Sequence, residues 1–368
     1  MKILFLSGSL EVGKDGVGDY CRRLSGELIR IGHNAKIIAL NDNFVNNSIR
    51  EVHLDRETPI DVLRFSSTIS RNEKIQIAHN FAVEFKPDYI SLQFVPYAYQ
   101  SRGLPYQLVN DLKKIYKCCN WHIMFHELWL ENRGALKQRI ISILQQKIIA
   151  TLVRKIKPSV INVSIKKNQN KLTQNGISSS ILELFGNIPV TSDISHDCLV
   201  TNSDSIKLLY FGVSPRADFR DVLINKIVEF VYGIGVSCEL LLATNENLDK
   251  TIFVQKLLEL IPDKFKIIDL GFLEEKDLSS IMQYGATVGI ARSEPDLLGK
   301  SGSAISMLEH GLPVWLPKLN GNDLLDFDFR REIIYSNLYE AVRRIEKLGP
   351  EERLSNIAVQ FMAQLKTI

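Results

Sequence analysis

Short apolar runs alternate with stretches of helical periodicity along the whole chain. In the first half the runs fall at Lys2–Ser7, Ala35–Ala39, Tyr89–Leu92, His122–Phe125, Val160–Val163 and Ile181–Leu184. The spacing between them predicts helices over Val17–Gly32, Asn72–Lys86, Tyr106–Cys118, Lys137–Lys157 and Ile165–Asn175. Short apolar runs separated by helical segments imply a parallel sheet covered on both faces. Turn formers then gather from Asn187 to Asp193 and again from Thr201 to Asp204, which reads as a linker. The alternation restarts beyond it. Strands are expected at Ile206–Phe211, Cys238–Ala243, Lys266–Leu270, Ala286–Ala291 and Pro313–Pro317. Helices are expected at Val222–Gly233, Leu248–Ile261, Glu275–Gln283 and Ser303–His310, with a helical tail over Asn337–Leu348 and Pro350–Lys366. The fold class read from this order is α/β: two doubly wound, Rossmann-like domains, 1–200 and 201–348, followed by a C-terminal helix in 349–368. In open sheets of this kind a ligand sits outside the carboxyl ends of the strands, here in an interdomain cleft.

Length agrees, since 368 residues exceed what one core ordinarily organises. With 45% hydrophobic and 24% charged residues, the chain has ample material for globular cores. Its five cysteines, Cys21, Cys118, Cys119, Cys198 and Cys238, are odd in number and lack Cys-x-x-Cys spacing. That excludes a disulfide framework and a zinc site from the expectation and fits a reducing cytoplasm. No run suits a signal peptide or reaches the ~20 apolar residues of a membrane span. The net charge of +3 is uneven: residues 1–200 carry 26 basic and 18 acidic groups, the remainder 19 and 24. Ten basic residues and no acidic one lie between Asn132 and Leu182. Within this run Ile140, Ile141, Leu144, Ile148 and Ile149 fall on one side of a helix that also carries Lys137, Arg139, Lys147, Arg154 and Lys155. A basic amphipathic helix suits an anionic membrane surface, so residues 132–182 are a candidate for peripheral attachment at its inner face; the plain alternative is a helix whose stripe faces its own sheet. Nucleic acid is not expected as a partner, because neither a binding motif nor interleaved aromatics accompany the charge.

The candidate chemistry sits in loops. Gly299-Lys300-Ser301-Gly302-Ser303 opens a short helix that ends at Gly311. Amides at a helix start, the positive end of the macrodipole and Lys300 together make a seat for a diphosphate. The stretch lacks the spacer of a P-loop. After the first strand, glycines at 13, 16 and 18 lead into a helix and permit close approach of a ligand to the backbone. His126 and Glu127 lie just past a buried strand, where a histidine can bond a sugar hydroxyl or carry a proton near neutral pH. His122, at the start of that strand, is assigned no role. Gly212 and Arg216 follow the first strand of the second half, and Arg216 is long enough to bind a phosphate bidentately. His310 suits the negative end of its helix.

These stretches carry a resemblance. Gly8-Ser-Leu-Glu through Asp15-Gly-Val-Gly-Asp-Tyr, Phe125-His-Glu-Leu-Trp, Phe185-Gly-Asn-Ile-Pro, and Gly299-Lys-Ser-Gly-Ser through Met307-Leu-Glu-His-Gly-Leu-Pro-Val resemble, in order, those of group 1 or family 4-type glycosyltransferases. The resemblance implies a GT-B fold, with a C-terminal helix crossing back to the first domain. It implies transfer of a sugar from a nucleotide diphosphate donor to a glycan or lipid-linked acceptor, with retention and without a metal. The nucleotide sugar is then a co-substrate, and no cofactor is expected. On this resemblance His126, Lys300 and Arg216 are the catalytic candidates. Gly16, Gly18, Gly212, Lys300, Ser301, Gly302, Ser303 and Glu309 are donor-binding candidates, and Asp15, Asp19 and Glu127 lie on the acceptor side. The chain departs from the pattern where the family has two glutamates, at Leu298 and Ser306; Glu294 and Glu309 are the nearest carboxylates. It also has Val213 and Asp218 where the family has an arginine and a lysine, which leaves Arg216 or Lys300 to stabilise the departing phosphate. Two other readings share the fold: a nucleotide-sugar 2-epimerase, and a non-catalytic protein that keeps the fold as a nucleotide-sugar-binding or scaffold surface.

Overall fold

A computed structural model describes the chain except for residues 132–133, 135, 193–204, 262–264, 321–322, 324, 345–346 and 367–368. The chain forms two compact units, 1–183 with 354–368, and 184–353. The division therefore falls before the expected 200/201 boundary. Most of the expected linker, 193–204 with Cys198, lies outside the described residues. The earlier break has a local cause. Residues 186–188 are already hydrogen-bonded to the Gly302–Glu309 helix: Gly186 N–H donates to Glu309 Oε1 (3.0 Å) and Ile188 N–H to Ser306 Oγ (3.1 Å).

The first unit holds an eight-stranded sheet of β1 (Lys2–Ser7), β2 (Asn34–Asp42), β3 (Ile49–Asp55), β4 (Thr58–Ser66), β5 (Tyr89–Phe94), β6 (Asn120–Phe125), β7 (Val160–Val163) and β8 (Ser180–Ile181), in the order β3-β4-β2-β1-β5-β6-β7-β8. Ile3, Leu4, Phe5 and Leu6 of β1 are all fully buried, as a strand covered on both faces requires. The sheet is parallel except at one edge, where β3 runs antiparallel to β4. The apolar-run criterion overlooks this hairpin because β3 is an edge strand with Val52 and Leu54 exposed and with Arg50, Glu51, His53 and Asp55 among the seven residues. Arg56, in the left-handed region at φ 54°, makes the turn. The last helix, Leu354–Lys366, belongs to this unit. Phe361 stacks on Phe5, Tyr89 Oη donates to Leu365 O (2.7 Å) and Ser355 Oγ bonds Glu27.

The basic helix runs from Leu136 to Ile156, and its apolar stripe divides. Ile148 and Ile149 are buried with Leu152, whereas Leu136, Ile140 and Ile143 stand 73, 50 and 45% exposed. The rotation follows from Ser142 and Gln145, which face inward to bond Leu130 O (2.8 Å) and Gly103 O (3.1 Å). Among the described residues, no helix is long and apolar enough to cross a membrane.

The second unit has a parallel six-stranded sheet of β9 (Ile206–Gly212), β10 (Cys238–Thr244), β11 (Phe265–Asp269), β12 (Val288–Ile290), β13 (Val314–Trp315) and β14 (Ile334–Tyr335), in the order β11-β10-β9-β12-β13-β14. Every residue of β10 is buried. The two-residue β14 carries too little pattern to be read from sequence. Both units are thus doubly wound sheets, and together they make a GT-B fold.

Candidate functional site

In the first unit the loop after β1 is tied down by its own carboxylates. Asp15 caps the Gly16–Arg30 helix, its Oδ1 accepting from Val17 N–H (3.0 Å) and Gly18 N–H (2.8 Å). Burial raises its carboxyl above the ordinary value, and those two amide bonds pull the other way. Asp19 is buried, and both its oxygens accept from Gly13 N–H at 3.2 Å, with Arg22 beside it. The amides of Gly13, Val17 and Gly18 are therefore taken up by carboxylates of the same loop and helix, and both aspartates bond the loop backbone. Gly18 is explained by packing: a Cβ there would lie 2.7 Å from Ser9 O and 3.1 Å from Leu10 Cα. Gly16, the first residue of the helix, is exposed, as is Glu127.

His126 lies beside this loop. Its ring meets Tyr20 edge-on at 5.0 Å, so the helix begun by the glycine loop and the end of β6 converge here. The histidine is held by a chain of buried side chains. Asn162 Nδ2 donates to Ser180 O and to Gln364 Oε1, so its Oδ1 accepts from His122 Nε2 at 2.9 Å. His122 Nδ1 then accepts from Ser91 Oγ (2.8 Å), and Ser91 accepts from Gln93 Nε2 (2.7 Å). The remaining amide oxygen of Gln93 accepts from His126 Nε2 (2.8 Å). The donor order is self-consistent and places the His126 proton on Nε2. Sequence reading does not single out Ser91, Gln93 and Asn162 and assigns His122 no role, although a signal is present: Ser91 and Gln93 are alternate polar residues in a wholly buried strand, and such groups need partners.

His122 must be neutral for this chain. Burial is the main reason its pKa falls from 6.5 to about 4, against a smaller opposing effect of the Asn162 bond. The unfolded chain protonates this ring below about pH 6.5 and the folded chain only near pH 4, so the stability it confers is whole above the first value and declines as pH falls toward the second. Going from about pH 7 to about pH 5 should cost the wild type about 2 kcal/mol more than a His122→Gln variant. Urea denaturation at both pH values checks this; equal losses would mean His122 titrates normally.

In the second unit, two loops matter. The Pro295–Lys300 turn follows β12, and the Gly302–Glu309 helix follows the turn. Ser301 caps that helix, Oγ accepting from Ala304 N–H (3.3 Å) and lying 3.3 Å from Ser303 Oγ. The amides of Gly302 and Ser303 take no hydrogen bond among the described residues. Gly302 is also required by packing, since a Cβ would lie 2.7 Å from Asn187 Cγ. Lys300 is half-buried in the turn. Gly212 ends β9, the neighbour of β12, with φ +100°, a conformation that favours glycine. Arg216 is exposed at the start of the Ala217–Ile234 helix, and its guanidinium has no partner among the described residues. Lys300 to Ser303 and Gly212 with Arg216 thus lie at the carboxyl ends of adjacent strands.

Glu309 does not join them. It is fully buried, and Oε1 accepts from Gly186 N–H (3.0 Å) and Arg353 N–H (3.2 Å). Glu294 is paired with Lys318. Leu298 and Ser306, at the positions of the family's glutamates, are fully buried. His310 is buried between Ser306 O (2.6 Å) and Ser279 Oγ (2.9 Å), a structural placement.

Several solved structures share this architecture. UDP-GlcNAc 2-epimerase from Methanocaldococcus jannaschii aligns with a TM-score of 0.56 at 13% identity, covering 99% of each chain. The catalytic domain of starch synthase IV from Arabidopsis thaliana, bound to ADP and acarbose, aligns with a TM-score of 0.55 at 11% identity over 100% of this chain and 95% of that one. An alpha-glucosyltransferase in complex with UDP and a 13-mer DNA gives 0.55 at 12% identity over 99% and 95%. At such identities the likeness establishes the fold. No protein-family model matches the chain, and no curated protein matches it by sequence.

Proposed function

We propose that the chain is a nucleotide-sugar-dependent glycosyltransferase whose second unit binds the donor diphosphate. The observation that carries this reading is the Lys300–Ser303 turn: two backbone amides, of Gly302 and Ser303, that take no partner among the described residues at a helix start, a lysine two positions before the first of them, and an exposed Arg216 on the neighbouring strand's loop. Such a set neutralises the diphosphate of a departing nucleoside diphosphate by preorganised charge and dipole, with no covalent intermediate needed. His126 is assigned to orient a sugar hydroxyl, with its proton held on Nε2 by Gln93. The acceptor, a glycan or lipid-linked molecule, is assigned to the first unit. Attachment to an anionic membrane rests on exposed Leu136, Ile140 and Ile143 among basic residues of one helix, and flotation with anionic vesicles tests it.

A thermal-shift screen with nucleotide diphosphates and nucleotide sugars tests the donor site, since a ligand of the folded form alone raises the midpoint. Lys300→Ala is expected to weaken nucleotide diphosphate binding by about 1.5–3 kcal/mol, roughly 10- to 100-fold, the range of a charge-assisted hydrogen bond. Unchanged affinity would remove Lys300 from the site. Sugar inversion at carbon 2 without any acceptor would instead favour the epimerase, whose fold likeness is equally strong. Binding without turnover would favour a scaffold.

A further inference from the structure

The first unit contains a pocket of about 530 Å³ that plays no part in the donor site. Its size falls within the range of about 300–1,000 Å³ in which small-molecule sites occur. It opens past the ends of β2 and β4, where the Arg71–Phe85 and Leu108–Ile115 helices and the segment from Tyr99 to Gln107 enclose it. Ile69, Ile75, Leu104, Leu108 and Ile115 give it apolar walls.

Three charged side chains line it, and they do not balance. Asp111, its single carboxylate, is chelated by Arg71: Nε donates to both oxygens at 2.7 and 2.9 Å, with the second guanidinium nitrogen at 2.6 Å. That pair is closed. Lys74 is half-buried, and its Nζ donates to one backbone carbonyl, Leu40 O, at 2.8 Å. No carboxylate among the described residues forms an ion pair with it. Burial lowers its pKa, and Asp111 only partly counters this. An ammonium has three donors, and desolvating it without a counter-charge is unfavourable. The pocket thus presents a chamber of mixed apolar and polar lining, Asn41, Ser67, Gln100 and Gln107 among the latter, with one unmatched positive charge in its wall.

We propose that this pocket binds an amphipathic organic anion, an apolar body with a single carboxylate or phosphate head, with Lys74 as the counter-charge. The site stands apart from the donor reading and survives its failure, since neither Lys300 nor His126 lines it. Tyr99 also ties the pocket wall to the strands beneath: its Oη donates to Leu6 O (3.2 Å) and Gln93 O (2.7 Å), the latter being the residue that holds His126.

Octanoate, octyl phosphate, octanol and octylamine, titrated near neutral pH into full-length protein with labelled isoleucine methyls, test the proposal. Both anions should shift the Ile69, Ile75 and Ile115 methyls and bind at least ten-fold more tightly than octanol, with octylamine weakest. The two anions differ only in head, so their order tells carboxylate from phosphate. Lys74→Met should remove the advantage of the anions while leaving octanol unchanged, and Leu104→Trp should reduce all four. Octanoate and octanol of equal affinity would overturn it, as would methyl shifts confined to other isoleucines or no binding of either anion at millimolar concentration. The wild-type methyl data decide the matter even if a variant fails to fold.

Discussion

A Glu309→Ala variant is expected to lose about 3 kcal/mol of stability, because two backbone donors lose a charged acceptor at once. Glu309 is fully buried near the end of its helix, and its Oε1 accepts from Gly186 and Arg353 N–H. Residue 186 stands just inside the point where the chain enters the second unit, and residue 353 is the last before it leaves. One carboxylate thus secures both crossing points to the same helix. The fit is close: a Cβ on Gly186 would lie 2.7 Å from Glu309 Oε2 and 2.7 Å from Ser306 Cα. Removal of the side chain leaves a cavity and two unsatisfied amides, whereas Glu309→Gln keeps one acceptor and should cost less. Urea denaturation of the three proteins measures this. If Glu309→Ala kept wild-type stability but lost nucleotide binding, the residue would be a donor ligand after all.

The second large effect is expected at Gly18. A Gly18→Val substitution should destabilise the first unit by about 2–3 kcal/mol, as overpacking does when the neighbour cannot yield. Here the neighbour is backbone, Ser9 O at 2.7 Å and Leu10 Cα at 3.1 Å, and that backbone is pinned. Leu10 N–H donates to Asp42 (3.0 Å), and Asp42 is paired with Arg64 (2.8 Å), which also holds Glu11. Neither partner can retreat without breaking this network. Gly16→Ala, two positions earlier at the exposed first residue of the helix, is the control and should change stability by less than about 1 kcal/mol. Hydrogen exchange across residues 9–18 should quicken in Gly18→Val alone. Equal behaviour of the two variants would show that Gly18 is not needed for packing.

Both cases mark where reading the chain succeeds and where it fails. The strands β1, β9 and β10 were legible because each is a run of apolar residues between turn formers, and burial on both faces imposes that composition. The β3–β4 hairpin was not, since an edge strand shares its faces with water and loses the pattern. For the candidate site, glycines and carboxylates at 13–19 and 300–309 stood out, but their residue types do not say what they face. Asp15 and Asp19 bond the loop that carries them, and Glu309 bonds amides 123 and 44 positions away along the chain. Ser91 and Gln93 were readable only as anomalies within a buried strand.

The chain by itself determined two doubly wound α/β halves and the loops at which chemistry could lie, because periodicity and turn formers act over neighbouring residues. Only the tertiary structure decided which polar groups are spent within the protein and which remain for a ligand. A hydrogen-bond partner is chosen by proximity in space, so the Gly302 and Ser303 amides and the Lys74 ammonium became distinguishable from Asp19 and Glu309 only once the strands had been placed side by side.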